Sequence, residues 1–261
     1  MGNSESKIYI YDASLAGLLT ALALSVKSGD TIAAIVSKTQ HTPTLFDQPV
    51  YIKTDEQQAD RLAGYLKGLG PKVFKLVVDN FLSEEAESGL HLHHLIKISL
   101  VYGDRVINCL TDDSISYLTK NAQRVEHEAH KMLGFIRFRQ LKDNLLYAPI
   151  EPDFNIIGYC VNHFRKRLKN QHWIIHDVRR DISLYWDSKQ IKGIDVDPEF
   201  TQHVLEYGEI EKTHLGIDEA EFQKLWQIFH TSIANSNRAN RRLQRQLMPV
   251  RYWKYLIETP E

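Results

Sequence analysis

The chain has 261 residues, of which 43% are hydrophobic and 25% are charged, and its formal net charge is −1 at pH 7. This composition is that of an ordinary globular protein and favours neither intrinsic disorder nor a fibrous repeat. A net charge so close to zero also excludes attraction of the whole protein to a polyanion, so that only a local patch could bind one.

The sequence predicts a cytoplasmic protein without a membrane span. The longest apolar run, Leu15–Leu24, contains Gly17 and Thr20 and is shorter than the roughly 20 residues that a spanning helix needs. No signal-peptide pattern precedes the first strand-like segment. The two cysteines, Cys109 and Cys160, lie far apart and outside any CxxC motif, as expected in a reducing compartment.

The first residues predict a β-α-β unit. Lys7–Tyr11 has the β-branched and aromatic residues of a short strand, and Thr31–Val36 returns as a second strand. Asp12 or Ser14 can cap the apolar helix between them. The turn lacks the glycine pattern of a dinucleotide-binding or phosphate-binding loop, because Gly17 stands alone. We predict no phosphate cradle here and no cofactor for the chain.

Helical spacing dominates the segment from Thr54 to about His130. Thr54 or Asp55 can cap its start. An apolar face follows at three- and four-residue spacings, formed by Leu62, Tyr65, Leu66 and Leu69. Glycine-containing breaks divide this segment into three or four helices, of which residues 114–133 form the last and longest.

At Gly134 the period of the hydrophobic pattern changes from helical to two, which predicts strands. The expected elements are, in order, strands at 135–139 and 145–150, a helix from Asp153 or Asn155 to Leu168, and strands at 173–175 and 182–186. Consecutive hairpins with one helix packed on their sheet indicate an antiparallel β-β-α-β-β unit.

These patterns together predict the α+β class. We expect a β-α-β opening, a helical middle layer, the antiparallel β-β-α-β-β unit and a basic helical C-terminal tail that begins at Asp218 and breaks at Pro249. A single domain over residues 1–261 is expected, and the alternative is a subdivision into residues 1–110 and 111–261.

Charges are segregated near the C-terminus. Acids predominate from Asp195 to Glu221, whereas the segment from Arg238 to Lys254 carries only bases. The residues of interest in that basic segment are Arg238, Arg241, Arg242, Arg245, Arg251, Trp253 and Lys254. Arginine binds phosphate bidentately and aromatic rings stack on unpaired bases, so this segment is a candidate DNA-binding site. The alternative is an intramolecular clamp against the acidic stretch, with the aromatic side chains in the core.

Four arginines in or next to the predicted strands could form a basic face of the sheet. Arg137 and Arg139 alternate with apolar residues, so a strand would present both on one polar face. Arg179 and Arg180, in a predicted turn, could join that face if the two hairpins pair. The alternative is plain alternation of core and solvent positions, because the aromatic residues of this strand should point inward.

Five acids and histidines are candidate catalytic residues. Glu151, Asp153, His176 and Asp177 lie at strand ends, where loops carry reactive side chains on a rigid frame, and His130 could join them as a general acid or base. A hydrolase or phosphodiesterase site can be built from them. In the structural alternative, Asp153 caps a helix and Asp177 pairs with Arg179 or Arg180.

Two histidine-rich segments resemble metal sites only loosely. His127 and His130 are three residues apart, whereas the zincin signature needs histidines four apart with Glu directly after the first. His91, His93 and His94 have no companion cluster of carboxylates or cysteines. We therefore predict no metal site.

Several segments resemble the bacterial "probable DNA metabolism protein" family, a domain of unknown function 4130. The resemblance is carried by His130–Arg139, Tyr147–Asp153, His163–Leu168, Trp173–Arg180 and Asn240–Leu256, and the opening Tyr11–Thr20 is similar to the start of the family as well. The match therefore spans nearly the whole chain.

The resemblance implies a role in DNA metabolism. Members are typically encoded beside a radical-SAM protein proposed to modify or repair DNA, which implies such a protein as partner. The domain also occurs fused ahead of uracil-DNA-glycosylase-like domains. These 261 residues do not include such a domain, so we do not expect uracil excision from them, and the family supplies no catalytic assignment to transfer.

We therefore expect a DNA-metabolism or repair accessory protein that binds DNA, a radical-SAM repair-type partner, or both. One alternative is an enzyme acting on DNA or nucleotides, with hydrolase or glycosylase-like activity. The other is a protein-interaction adaptor without nucleic-acid contact. The residues leave the oligomeric state open.

Overall fold

Residues 6–43, 48–234 and 240–259 are described by the computed structural model, so the predicted contact residue Arg238 lies outside the described residues. The chain divides into two units, Met1–His127 and Glu128–Glu261. The boundary falls within the longest helix rather than near residue 110, and each unit has its own sheet.

The first unit opens with the predicted β-α-β motif. Its elements are β1 (Lys7–Tyr11), α1 (Leu15–Ser28), β2 (Ile32–Ser37) and a further short strand, β3 (Pro49–Tyr51). The strand order is β2-β1-β3, and both pairs are parallel. The Ser14 side chain caps α1 by accepting a hydrogen bond from the Gly17 N–H, as one of the two predicted caps should. Strand β3 was not predicted, because three residues are too few to show a period.

Helices complete this unit and confirm the predicted helical layer. They are α2 (Glu56–Leu69), α3 (Pro71–Leu82), α4 (Ser88–Tyr102), a 3-10 helix (Gly103–Asn108) and α5 (Asp113–Phe135). Asp55 caps α2, and the apolar face of that helix enters a core with Leu22, Leu95 and Leu118. A Cβ at Gly89 would lie 1.9 Å from the Ile35 carbonyl oxygen, so only glycine lets α4 approach β2 this closely.

The second unit is built on a five-stranded sheet of order β4-β5-β6-β7-β8. Its elements are β4 (Arg139–Gln140), β5 (Leu146–Ile150), α6 (Ile157–Arg167), β6 (Trp173–Asp177), β7 (Ile182–Trp186), β8 (Ile191–Ile194), α7 (Pro198–Tyr207), α8 (Glu219–Ile233), α9 (Arg241–Leu247) and a 3-10 helix (Val250–Tyr255).

This sheet is mixed, so the prediction of an antiparallel unit is wrong for one pair. Strands β5 and β6 are parallel, while the other three pairs are antiparallel. The chain crosses from β5 to β6 through α6, and a crossover of that length returns a strand in the same direction. The α+β class itself is confirmed.

The predicted strand at 135–139 is also wrong over most of its length. Helix α5 continues to Phe135, and the Ile136 N–H still donates a helical hydrogen bond to the Met132 carbonyl oxygen at 3.0 Å. Phe135 packs against the Tyr252 ring, and Ile136 is buried. Tertiary packing thus overrides the local alternation and leaves only two residues for β4.

The basic tail is helical and breaks at Pro249, as predicted: α9 ends at Leu247 and a 3-10 helix begins at Val250. Within the described part of the chain, no helix is both long and apolar enough to cross a membrane.

Candidate nucleic-acid interface

The parallel pairing of β5 and β6 brings four of the predicted catalytic residues to one edge of the sheet. Glu151 and Asp153 follow β5, and His176 and Asp177 end β6. The fifth, His130, is exposed on α5 and forms no hydrogen bond with a described residue. The contacts of these four residues decide what they can do.

Asp177 is engaged in a buried ion pair. Its side chain is fully buried, and its Oδ2 lies 3.0 Å from Nη1 of Arg180. Arg180 also donates to the backbone carbonyl oxygens of Pro152 at 3.1 Å and Asp153 at 2.6 Å, so it ties the end of β5 to the end of β6. Burial raises the pKa of the Asp177 carboxyl, and the Arg180 charge opposes that shift. The predicted Asp177–arginine pair is therefore present, and this arginine is held by the protein itself.

His176 is sealed in the sheet. Its Nδ1 lies 2.8 Å from the Tyr147 hydroxyl, and its Nε2 lies 3.3 Å from Oδ1 of Asp181, whose side chain is exposed. Burial lowers the pKa of His176, which favours the neutral imidazole. Because no part of the His176 side chain reaches the surface, a substrate could not contact it in this conformation.

A buried carboxylate that sequence analysis missed, Glu128, organises the loop after β5. Its two oxygens accept hydrogen bonds from the backbone N–H groups of Asp153 at 2.8 Å and Phe154 at 2.9 Å. The Tyr252 hydroxyl donates to the same carboxylate. Because Asp153 is thus part of this loop and α6 begins only at Ile157 without a side-chain cap, the predicted caps Asp153 and Asn155 are wrong.

A sequence signal for Glu128 was present. Glu128 falls between Val125 and Met132, which are three residues before it and four residues after it and are both buried. An acid in the apolar stripe of a helix needs a partner inside the fold, so this position was a candidate for a buried network.

The 3-10 helix at Val250–Tyr255 is held by the carboxylates of Glu151 and Asp153, and we call this set of contacts the tail clamp. Arg251 Nη2 lies 2.5 Å from Oδ2 of Asp153, and Lys254 Nζ lies 2.5 Å from Oε2 of Glu151. The Tyr255 hydroxyl donates to that Glu151 oxygen at 2.8 Å. Two of the predicted DNA-binding cations are therefore paired with two of the predicted catalytic acids.

The basic tail is held within the molecule, as the predicted intramolecular clamp required. The prediction of the acidic stretch as the source of the paired carboxylates is wrong. Tyr252 and Tyr255 are buried, as that alternative required. However, the carboxylates that pair with the tail come from α5 and the loop after β5. The acidic stretch contributes the Leu205 carbonyl oxygen, 3.1 Å from Lys254 Nζ, and the apolar side chains of Val204 and Ile210, which pack in one cluster with Tyr255. Trp253 is half-buried and donates its indole N–H to the Met248 carbonyl oxygen at 2.9 Å.

The predicted basic face of the sheet does not exist at Arg137 and Arg139. Arg139 is buried and donates to the carbonyl oxygens of Gly208 at 2.9 Å and Tyr255 at 3.4 Å, and desolvation lowers its pKa. Arg137 pairs with Glu258 at 2.5 Å. The prediction assumed a strand with alternating faces, whereas the chain leaves a helix here and forms a strand of only two residues.

What remains accessible is a group of arginines on α9. Arg241, Arg242 and Arg245 are exposed, and none forms a hydrogen bond or ion pair with a described residue. The Asn240 side chain caps the helix by accepting from the Leu243 N–H at 3.0 Å. Arg179, in the turn after β6, is exposed as well. These cations are available for an anionic partner.

The three histidines of α4 that were considered for a metal site have other partners. His91, His93 and His94 lie within hydrogen-bonding distance of Ser114, Ser25 and Asp112, respectively. Across residues 6–43, 48–234 and 240–259, no three His, Cys, Asp or Glu side chains are grouped to hold a metal ion.

Comparison with known proteins gives a family for the chain. No curated protein matches it. The model of one protein family, a domain of unknown function (DUF4130), matches residues 86–258. That match covers the whole sheet of the second unit, the clamped tail and the α9 arginines. Because it extends over more than half of the sequence, the chain belongs to the DUF4130 family.

Proposed function

We propose that this protein is a DNA-binding accessory of DNA metabolism or repair in the bacterial cytoplasm, working beside a radical-SAM repair-type protein. DNA binding is supported by a difference among the predicted DNA-binding residues: some are paired within the protein, and others are exposed. Arg137, Arg139, Arg180, Arg251 and Lys254 are bound to groups of the protein, whereas the three arginines of α9 are exposed without a partner among the described residues.

The clamp gives these arginines a fixed support. The 3-10 helix that follows α9 is anchored through Arg251 and Lys254, and its two tyrosines are buried. A helix held at its base loses less conformational entropy when it binds than a free tail does. Guanidinium groups match phosphate oxygens bidentately, so this arrangement suits the sugar–phosphate backbone.

An enzymatic role has no comparable support. His176 and Asp177 are buried, and Glu151 and Asp153 are paired with cations of the tail. Such a network serves to hold the fold and the tail together. The proposal of a radical-SAM partner depends on the family resemblance alone.

The proposal is tested by DNA binding over a series of salt concentrations. The variant with Arg241, Arg242 and Arg245 all changed to Ala should bind more weakly, and its salt slope should fall by about 1 for each phosphate group that it no longer binds. The matched control changes Arg165, Lys166 and Arg167, three exposed bases in the last turn of α6, to Ala. This control removes the same charge from another surface.

Two results would overturn the assignment. The α9 variant could bind DNA as tightly as the wild type, or the α6 control could lose as much affinity as the α9 variant. The partner is tested separately by co-purification with the radical-SAM protein after nuclease treatment. Association that survives without DNA supports direct binding between the two proteins, and loss of association reduces the proposal to DNA binding.

A further inference from the structure

A groove runs between α8 and the edge of the sheet in the second unit. Its volume is about 540 Å³, within the range of about 300–1,000 Å³ that small-ligand sites occupy. Its wall includes three aromatic rings and five polar side chains: Phe138, Phe222, Trp226, Arg137, Gln140, Gln171, Glu219 and Gln223. None of these residues takes part in the tail clamp.

Trp226 is a fixed aromatic surface in this groove. Its indole N–H donates to Oε2 of Glu258 at 2.9 Å, and the Arg137 guanidinium lies 5.5 Å from the centre of its ring. Arg137 is itself held by Glu258, so the ring is bounded by an ion pair. Yet 39% of Trp226 is exposed, which leaves ring surface available for a ligand.

A second ring lies one helical turn away. Phe222 precedes Trp226 by four residues on α8, so the two side chains lie on the same side of the helix, and 60% of Phe222 is exposed. Two exposed rings at this spacing form a surface on which planar groups can stack.

Amide groups line the same groove. The Gln171 side chain is exposed and forms no hydrogen bond with a described residue. Gln223 donates its Nε2–H to Glu219 at 2.8 Å, which leaves its carbonyl oxygen as an acceptor. An apolar peptide side chain in this groove would leave these amide groups desolvated and unpaired, which costs free energy. A ligand with both a planar face and polar edges would not.

We infer that this groove binds an unpaired DNA base, which stacks on Trp226 and Phe222 while glutamine side chains contact its polar edge. The inference rests on the proposed DNA-binding function and adds to it that the ligand is single-stranded or locally unpaired. Every nucleobase has a π-face and hydrogen-bonding edges, and the amide of glutamine supplies both a donor and an acceptor.

The test compares two single-stranded oligodeoxynucleotides of equal length, one with bases throughout and one with abasic sites at its centre. The full-length protein should bind the first about tenfold more tightly, as stacking of one base predicts. Trp226→Ala should reduce this ratio to about one, and Phe222→Ala should reduce it in part, whereas Trp226→Phe should preserve most of it.

Leu225→Ala is the matched control, because Leu225 is an exposed apolar residue of the same helix and does not line the groove. It should leave the ratio unchanged. Thermal unfolding of each variant checks that the fold is retained, and the exposed Phe222 provides a second probe if Trp226→Ala proves unstable.

The outcomes separate this inference from the proposed function. Salt-dependent DNA binding with the same base preference in wild type, Trp226→Ala and Phe222→Ala overturns the base site and leaves the α9 interface standing. Absence of any DNA binding overturns both. If Trp226→Ala instead turns a dimer into a monomer with no change in the ratio, the groove contacts a second copy of the chain and the base site is wrong.

Discussion

The two halves of the basic tail carry the same kind of charge and have opposite fates. In the 3-10 helix, Arg251 and Lys254 reach carboxylates within 2.5 Å, and the tyrosines between and beside them are buried. In α9, Arg241, Arg242 and Arg245 find no partner among the described residues. The difference teaches that a basic segment has no single role, because the acids within reach decide which cations stabilise the fold and which remain free.

The largest effect is expected from removal of Glu128, the buried carboxylate that holds both the loop after β5 and Tyr252. Glu128→Ala would leave two backbone N–H groups and the Tyr252 hydroxyl without their acceptor. Loss of one partner of a buried charged network costs about 3–5 kcal/mol, and we expect the free energy of unfolding in urea to fall by that amount.

Glu126→Ala is the control for Glu128. Glu126 lies on the same helix, but its side chain is half exposed and pairs with Lys75 at the surface. Removal of a surface pair should change the free energy of unfolding by no more than about 1 kcal/mol. Equal losses in the two variants would contradict the role given to Glu128.

The next prediction compares a buried arginine with an exposed one. Arg139→Ala leaves the Gly208 and Tyr255 carbonyl oxygens without a charged donor and should lower the free energy of unfolding by about 2 kcal/mol. Arg245→Ala, on exposed α9, should change it by less than about 0.5 kcal/mol. Urea denaturation of both variants measures the difference, and a stability loss on α9 as large as that at Arg139 would mean that α9 is part of the fold rather than a free surface.

The smallest effect is a dependence of stability on pH. The unfolded chain protonates histidine at about pH 6.5, whereas burial lowers the pKa of His176 in the folded protein. Between these two pKa values the unfolded state binds the extra proton, so stability falls as pH falls below about 6.5, by up to about 1.4 kcal/mol per pH unit. His176→Gln should remove this part of the pH dependence, measured by urea denaturation from pH 7.5 to pH 5. An unchanged profile would show that His176 does not titrate in this range.

Sequence patterns predicted the secondary structure correctly where a long segment followed a single hydrophobic period. The β-α-β opening, the two pairs of cap candidates that include Ser14 and Asp55, and the long helix α5 follow from side-chain spacing and local hydrogen bonds. They failed at 135–139, where five residues alternate like a strand but most of them end or follow a helix. They also failed at β3, which is too short to show a period.

For the site, the sequence predicted the pairing of Asp177 with a neighbouring arginine but not the partners of Glu151 and Asp153. Glu151, Asp153, His176 and Asp177 were each expected at a strand end, and the parallel pairing of β5 with β6, which was not predicted, brings them to one edge. Arg251, Lys254 and Glu128, the partners of Asp153 and Glu151, lie about 25 to 100 residues away along the chain, a separation at which spacing rules carry no information.

The sequence by itself determined the α+β class, most of the element order and the presence of a strongly basic C-terminal segment, because these depend on local propensity and composition. Only the tertiary structure decided which charges are buried, which are paired and which are left for a ligand. The physical reason is that an ion pair depends on distances of a few ångströms between side chains, and the fold alone sets these distances for residues far apart in sequence.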